Sequence, residues 1–329
     1  MRQQPQTPGD VEVENFRYAG EKAWHGCGQE VPQDSTVEAA MASSVLGSEI
    51  LKVPLTMPDA SLTGAQDVTL PSGSSMVAIV RSGDWKTLGV RTDGFSIVQP
   101  MDGARLLDAV GATVGAKFSV VGSVHGGTVF WAQASVGKFD VTGSGDEVET
   151  FLSYIDGYDG KTAASFGLTT VRAVCENTVT HAVAQGRKSS VAWHSIRHRG
   201  DVTGKVGAAA AAVEQALKAK SDIQRFFQKA AQTKLPLDAF VAVVEQALEV
   251  SRDKDGSLPG RVQGKVDVMV DLFKRGTGND GKTAWDAFNA ISEWSTWAQP
   301  TRSRERFAAA MLGDPVVQRA EQTLRVMVL

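Results

Sequence analysis

Cysteine is nearly absent: Cys27 and Cys175 are the two in 329 residues. Two thiols cannot build a disulfide framework, so a reduced, cytoplasmic setting is expected. Long apolar runs are missing as well, and no stretch approaches the ~18 to 20 residues of a membrane span. The first fifteen residues have neither a basic start nor an apolar run, and Pro5 and Pro8 interrupt them. They read as the start of a disordered lead, taken to residue 20, and not as a secretion signal. No serine sits in a nucleophile-elbow pattern, neither cysteine carries a catalytic signature, and no internal repeat recurs at solenoid spacing. A net charge of −3 and a pI near 6.0 exclude a surface coated all over with nucleic acid. They leave room for one focused basic strip.

The chain has 42% hydrophobic and 22% charged residues, enough for a substantial core divided into two domains. Period-two alternation with glycine punctuation predicts strands over 50–57, 75–81, 87–91, 95–99, 117–124, 128–136 and 147–155. Helices are expected after Asp34 and Ser35 and after Asp102, and a third over 170–184, where Val171, Val174, Cys175, Val179 and Ala182 trace one face. Beyond Gly204 the texture turns to Ala, Gln, Lys and Leu, predicting a long helix through Ala208–Ala212, Val213, Leu217 and Ile223. Further helices are expected over 237–250, 261–273, 284–297 and 303–311, separated by prolines and glycines. The expected fold is therefore α+β: an antiparallel, curved mixed sheet with packed helices over 21–203, followed by a helical domain over 204–329.

Gly276-Thr-Gly-Asn-Asp-Gly281-Lys282-Thr283 fits the phosphate-loop pattern letter for letter. A working loop follows a buried strand, whereas Val266, Met269, Val270, Leu272 and Phe273 have helical spacing, so a helix-to-helix turn is the favoured reading. The alternative is a nucleotide-dependent enzyme that uses Gly281, Lys282 and Thr283. His25 and Cys27 lack the second close pair of a zinc site, with Cys175 and His194 available only through tertiary contact. Asp156-Gly-Tyr-Asp159-Gly lacks the later ligands of a calcium loop and reads as a tight turn. No metal or cofactor is expected.

What stands out is a cation strip. Between Gly160 and Gly200 lie Lys161, Arg172, Arg187, Lys188, Arg197 and Arg199 against Glu176 alone, a local +5 that leaves −8 for the rest of the chain. His181, His194 and His198 fall inside it, with Trp193 and Phe166 as flat apolar surfaces for base stacking. A run of charges is most often a solvated face. Here Arg172 falls on a largely apolar predicted face, and Trp193 and His194 interleave with guanidinium groups, which suits a single-stranded polyanion. The expected nucleic-acid contacts are Lys161, Arg172, Arg187, Lys188, Trp193, His194, Arg197 and Arg199.

Several strings together resemble a known family. Trp24-His-Gly-Cys-Gly, Leu88-Gly-Val-Arg with Phe95-Ser-Ile-Val-Gln-Pro, Tyr158-Asp-Gly-Lys-Thr, Arg172-Ala-Val-Cys-Glu-Asn-Thr178 and Thr283-Ala-Trp-Asp-Ala-Phe-Asn-Ala290 are similar to the phage/plasmid-like protein family, a domain of unknown function. Phe95 stands where that family often has tyrosine. The resemblance implies a mobile-element setting, a phage or prophage in a bacterial cytoplasm. Joined to the cation strip, it leads to the expectation of a non-enzymatic single-stranded DNA binding and annealing protein, similar in outline to ring-forming annealing proteins. Such a protein would be a homo-oligomer, with a single-strand-binding protein or an exonuclease as a further partner. A protein-interaction module of a mobile element is the other alternative.

Overall fold

The computed structural model describes residues 16–20, 28–58, 65–70, 72–172, 177–179, 193–201, 204–205, 217, 220–299 and 314–329. Thirteen strands and seven α-helices are named among them. The strands are β1 (Arg17–Tyr18), β2 (Gln29–Glu30), β3 (Ile50–Pro54), β4 (Thr56–Pro58), β5 (Ala65–Asp67), β6 (Met76–Arg81), β7 (Lys86–Thr92), β8 (Lys117–Val124), β9 (Val129–Asp140), β10 (Glu147–Gly157), β11 (Ala164–Arg172), β12 (Asn177–Val179) and β13 (Trp193–Ile196). The helices are α1 (Val37–Ala42), α2 (Pro100–Thr113), α3 (Lys220–Gln232), α4 (Leu237–Ala247), α5 (Gly260–Arg275), α6 (Ala284–Glu293), which runs into a π-turn over Trp294–Ala298, and α7 (Pro315–Val328).

The main sheet runs β12-β11-β10-β9-β8-β1-β2, with β13 paired to the other end of β11. All its pairings are antiparallel except β1 with β2, so the α+β class with a mixed sheet holds. Long alternating strands joined by glycine turns account for the β8-β9-β10 meander. A second sheet, β3-β6-β7, and a short β4-β5 hairpin stand beside it.

Helix α2 crosses one face of the main sheet. Its closest approach is at Gly103, where a Cβ would stand 1.9 Å from the ring of Tyr154. Only a hydrogen lets the helix backbone rest on that ring. Helix α1 is pinned beside it: Asp108 of α2 accepts the backbone N–H groups of Val37 and Glu38, both at 2.8 Å. The helices that follow pack at the far end of the β9-β10 hairpin. Lys220 donates to the Val136 carbonyl, Gln228 to that of Asp140, and Phe227 stacks near Phe139. One continuous apolar core therefore joins sheet and helices, including Val148, Phe227, Trp285 and Phe288.

Several expectations need correction. Residues 170–172 and 177–179 are strands, not helix: Thr170, Val171 and Arg172 pair with Val179, Thr178 and Asn177. β-branched Thr and Val suit strands as well as one face of a helix. Residues 173–176 and 180–184 of that expected helix lie outside the described residues, as do the helix expected over 303–311 and residues 208–216 of the long helix expected after Gly204. The stretch 95–99 joins no ladder, because its backbone groups are taken elsewhere: the Ser96 N–H donates to the His198 carbonyl, the Phe95 N–H to that of Thr92, and the Val98 carbonyl accepts from the Tyr158 hydroxyl. The cap of α1 is Thr36, and α2 begins at Pro100 with Gln99 before it, upstream of Asp102. Phe16, Arg17 and Tyr18, placed within the disordered lead, are buried. Tyr18 pairs with Val120 of β8, so the apolar pair flanking Arg17 explains the order.

Candidate functional site

Beneath the outer end of β11 and β13 lies a buried polar anchor. Asp156, at the end of β10, is fully buried and accepts a 2.9 Å hydrogen bond from the Tyr154 hydroxyl. His198 Nε2 stands 2.9 Å from its other oxygen, Oδ1, off the line of a straight N–H···O bond, so the contact is an ion pair more than a directed hydrogen bond. His198 Nδ1 is 2.9 Å from the Ser96 carbonyl. The Ser96 carbonyl only accepts, so Nδ1 carries a proton. The Asp156 carboxyl beside Nε2 favours a second one there.

The proton affinities agree in direction. Burial pulls the His198 pKa down, but the hydrogen bond and charge of Asp156, with the Ser96 carbonyl, raise it above its ordinary value. Burial also raises Asp156, against the hydrogen bonds from His198 and Tyr154. With Nδ1 on the Ser96 carbonyl and Nε2 facing Asp156, the His198 ring is turned inward and is 8% exposed. Its role is to fasten the segment. Phe95 stacks on its ring with centroids 4.5 Å apart, the Ser96 N–H donates to the His198 carbonyl at 2.9 Å, and the Tyr158 hydroxyl donates to Val98.

Around this anchor gathers a rim of cations. Arg197 and Arg199 flank His198 and are exposed, as is Lys161 in the turn after β10. Arg91 of β7 reaches the same turn, donating to the Tyr158 carbonyl at 2.5 Å, and a Cβ at Gly160 would stand 2.8 Å from its Nε. Lys205 donates to the Arg199 carbonyl and Lys52 to that of Asp93. Two of the nearby acids are spent on local turns: Asp159 caps Lys161 and Thr162, and Asp201 caps Gly204.

The structure thus brings Lys161, Arg197 and Arg199 to one end of the sheet and adds Arg91, Lys52 and Lys205, which charge counting along one segment had missed. Their signal was spread over three stretches of chain. His194 is half-buried opposite Phe166 in the β13 register. Arg172 and Trp193 stand in β11 and β13, at register positions opposite Val148 and Gly167. Arg187, Lys188, His181, His25, Cys27 and Cys175 lie outside the described residues. Phe166 cannot stack a base: it is 1% exposed, its ring lying on Tyr154 with centroids 4.4 Å apart. His198 belongs to the anchor and not to the exposed strip.

The glycine-rich string is built differently from a phosphate cradle. It joins α5 to α6, and the N–H groups of Gly276, Asn279, Asp280, Lys282 and Thr283 are already used. Asp286 Oδ2 accepts the N–H groups of Lys282 and Thr283, both at 3.0 Å, while Thr283 caps α6 in a reciprocal capping box. An internal carboxylate fills the place an anion would take. The adjoining cavity, about 400 Å³, sets Asp146, Asp280 and Asp286 against the single cation Lys282, which repels phosphate. Among the described residues no group of His, Cys, Asp and Glu is arranged to hold a metal, and no helix is long and apolar enough to cross a membrane.

No curated protein and no solved structure matches the chain. The family pattern described as Domain of unknown function (DUF932) matches residues 87–312, more than half of the sequence, and takes in the anchor, most of the rim and α3 to α6. The chain belongs to that family.

Proposed function

We propose that the protein binds single-stranded DNA along the basic rim and anneals it to a complement without nucleotide hydrolysis. The observation that carries this reading is the convergence of Lys161, Arg197 and Arg199, all exposed, around a rigid His198–Asp156 anchor, with Arg91, Lys52 and Lys205 beside them. Cations on a fixed frame neutralise a phosphate backbone without needing base-specific contacts. Annealing releases stacking free energy of roughly 1.4 kcal/mol per base-pair step, so the protein has only to hold a strand extended and then release it.

One protomer presents a short rim, so a homo-oligomer whose rims join end to end supplies the length. In this reading the protein acts in the cytoplasm of a phage-infected or prophage-carrying bacterium, which the resemblance to phage/plasmid-like proteins supports. A single-strand-binding protein or an exonuclease suits the role of further partner. The test is a mobility-shift and oligonucleotide-annealing assay on the full chain and on a variant carrying Lys161→Ala, Arg197→Ala and Arg199→Ala. Three phosphate contacts give an expected log-log salt slope of about −2 on single strands. Salt-insensitive binding, or none at low salt, would contradict the reading.

A further inference from the structure

His198 stands at the centre of a three-residue turn, in which the Arg199 N–H donates to the Arg197 carbonyl at 2.7 Å. The middle side chain is buried and the two flanking guanidinium groups are exposed. Whatever holds that one ring therefore places two cations of the rim. Three contacts to the 95–96 stretch hold it: Nδ1 on the Ser96 carbonyl, the His198 carbonyl on the Ser96 N–H, and the Phe95 ring stacked against it. The contact of Nε2 with Asp156 Oδ1 at 2.9 Å is of a different kind, because it depends on a proton that can leave.

The Ser96 carbonyl takes the Nδ1 proton, so Nε2 carries one only when the ring holds two. Asp156 is fully buried and already accepts from the Tyr154 hydroxyl at 2.9 Å and the Gly157 N–H at 2.7 Å. A proton on Nε2 or on the carboxyl keeps the contact between them favourable. Without it, a carboxylate and a nitrogen lone pair face each other in a closed site, and the buried negative charge has lost its balance. No other group packed on the ring restores that balance. Tyr158, at 6.1 Å, gives its hydroxyl proton to the Val98 carbonyl, Asp159 is an acid, and Phe95 and Ser96 carry no charge. Asp102 of α2, which acts on Tyr154 and Tyr158, is an acid as well, while Arg91 is engaged with the Tyr158 and Val90 carbonyls.

We propose that the contact of His198 with Asp156 is a proton-operated latch on the basic rim. With the proton in place, the turn is held and Arg197 and Arg199 are presented together; as the proton is lost, the turn loosens and the rim releases its strand. Both consequences of the loss act in one direction, since a loosened turn and an added negative charge beside the rim each weaken the hold on a polyanion. The direction of the titration is consistent with this. Burial pulls the His198 pKa down, but the hydrogen bond and charge of Asp156 and the Ser96 carbonyl raise it overall, so the latch opens above the ordinary imidazole value of about 6.5. The effect on strand binding rests on the rim being the binding surface; the loosening of the turn does not.

The test has two arms, both on the full chain between pH 6 and pH 9 at fixed salt. The first is amide hydrogen exchange at Ser96, whose N–H is bonded to the His198 carbonyl and reports the turn without any DNA. After correction for the base-catalysed rise in exchange, its protection is expected to fall about tenfold or more as pH rises. The second is equilibrium binding of a labelled single-stranded oligonucleotide, expected to weaken about tenfold over the same range. In His198→Gln, which has no ring proton to lose, both are expected to stay flat. Ser96 protection that does not change with pH in the natural chain would overturn the latch, and this arm stands even if the variant fails to fold. Strand binding that persists with the same affinity at both ends of the range, or that changes equally in His198→Gln, would also overturn it. Loosening at Ser96 with no strand binding at either pH would support the latch and reject the rim as the binding surface.

Discussion

His198 Nε2 stands 2.9 Å from the Asp156 carboxyl, which has no solvent exposure, while His198 Nδ1 lies 2.9 Å from the Ser96 carbonyl. The pair ties the end of β10 to the segment after β13, and through Ser96 and Phe95 to the stretch leading into α2. The exposed guanidinium groups of Arg197 and Arg199 take their position from it.

Replacing Asp156 with Asn keeps the shape and removes the charge that balances His198. Breaking a buried pair from one side typically costs about 3 to 5 kcal/mol, and the low end is expected because His198 can shed its proton. Chemical denaturation of Asp156→Asn, His198→Asn and the double variant should show the double variant less destabilised than the sum of the singles. Simple additivity would mean that the two residues are not coupled.

The same pair gives stability a pH dependence of definite sign. The folded pKa of His198 is raised, so its contribution is fully present below the ordinary value of about 6.5 and is lost as pH rises through the folded value. Asp156, also raised, acts in the same direction on the acid side. Melting temperatures of the natural chain and His198→Asn should therefore differ most at slightly acid pH and converge above neutrality. A gap that stays constant from pH 5.5 to 9 would show that His198 is not held protonated.

Gly103 rests on the Tyr154 ring with no room for a methyl group. In Gly103→Ala, any gain in helix propensity is outweighed by a clash that pushes α2 off the sheet, and a loss of about 1 to 3 kcal/mol is expected. Stability equal to or above that of the natural chain would mean that the helix does not cross the sheet there.

Asp286 accepts the N–H groups of Lys282 and Thr283 and the Thr283 hydroxyl, so it organises the glycine-rich turn from within. Asp286→Ala should cost about 2 kcal/mol, the upper range for a lost cap, whereas Lys282→Ala should leave stability nearly unchanged. Equal losses from the two would point to a structural role for the lysine that its exposed pairing with Asp280 does not suggest.

The meander was legible because Lys117–Val124, the β9 stretch and the β10 stretch alternate cleanly and end in glycine or polar turns. The helical segments from Leu237 to Glu293 were legible from their 3.6-residue spacing. Thr170–Val179 misled because a β-branched run spaced at three and four residues satisfies both periods until its partners are known. The anchor was hidden for a different reason. Asp156 looked like part of a turn and His198 like part of a charge run, and only the antiparallel pairing of β10 with β11 and of β11 with β13 brings residues 42 positions apart into contact. Arg91 escaped notice because its neighbours on the rim come from the turn after β10.

Equilibrium binding of a labelled single-stranded oligonucleotide across a salt series tests most directly whether the exposed cations around the anchor bind single strands. Binding at low salt that falls with a log-log slope of about −2, and is largely lost in the variant lacking Lys161, Arg197 and Arg199, is the predicted result. Undiminished binding and annealing by that variant, folded and in the same assembly state as the natural chain, would contradict it.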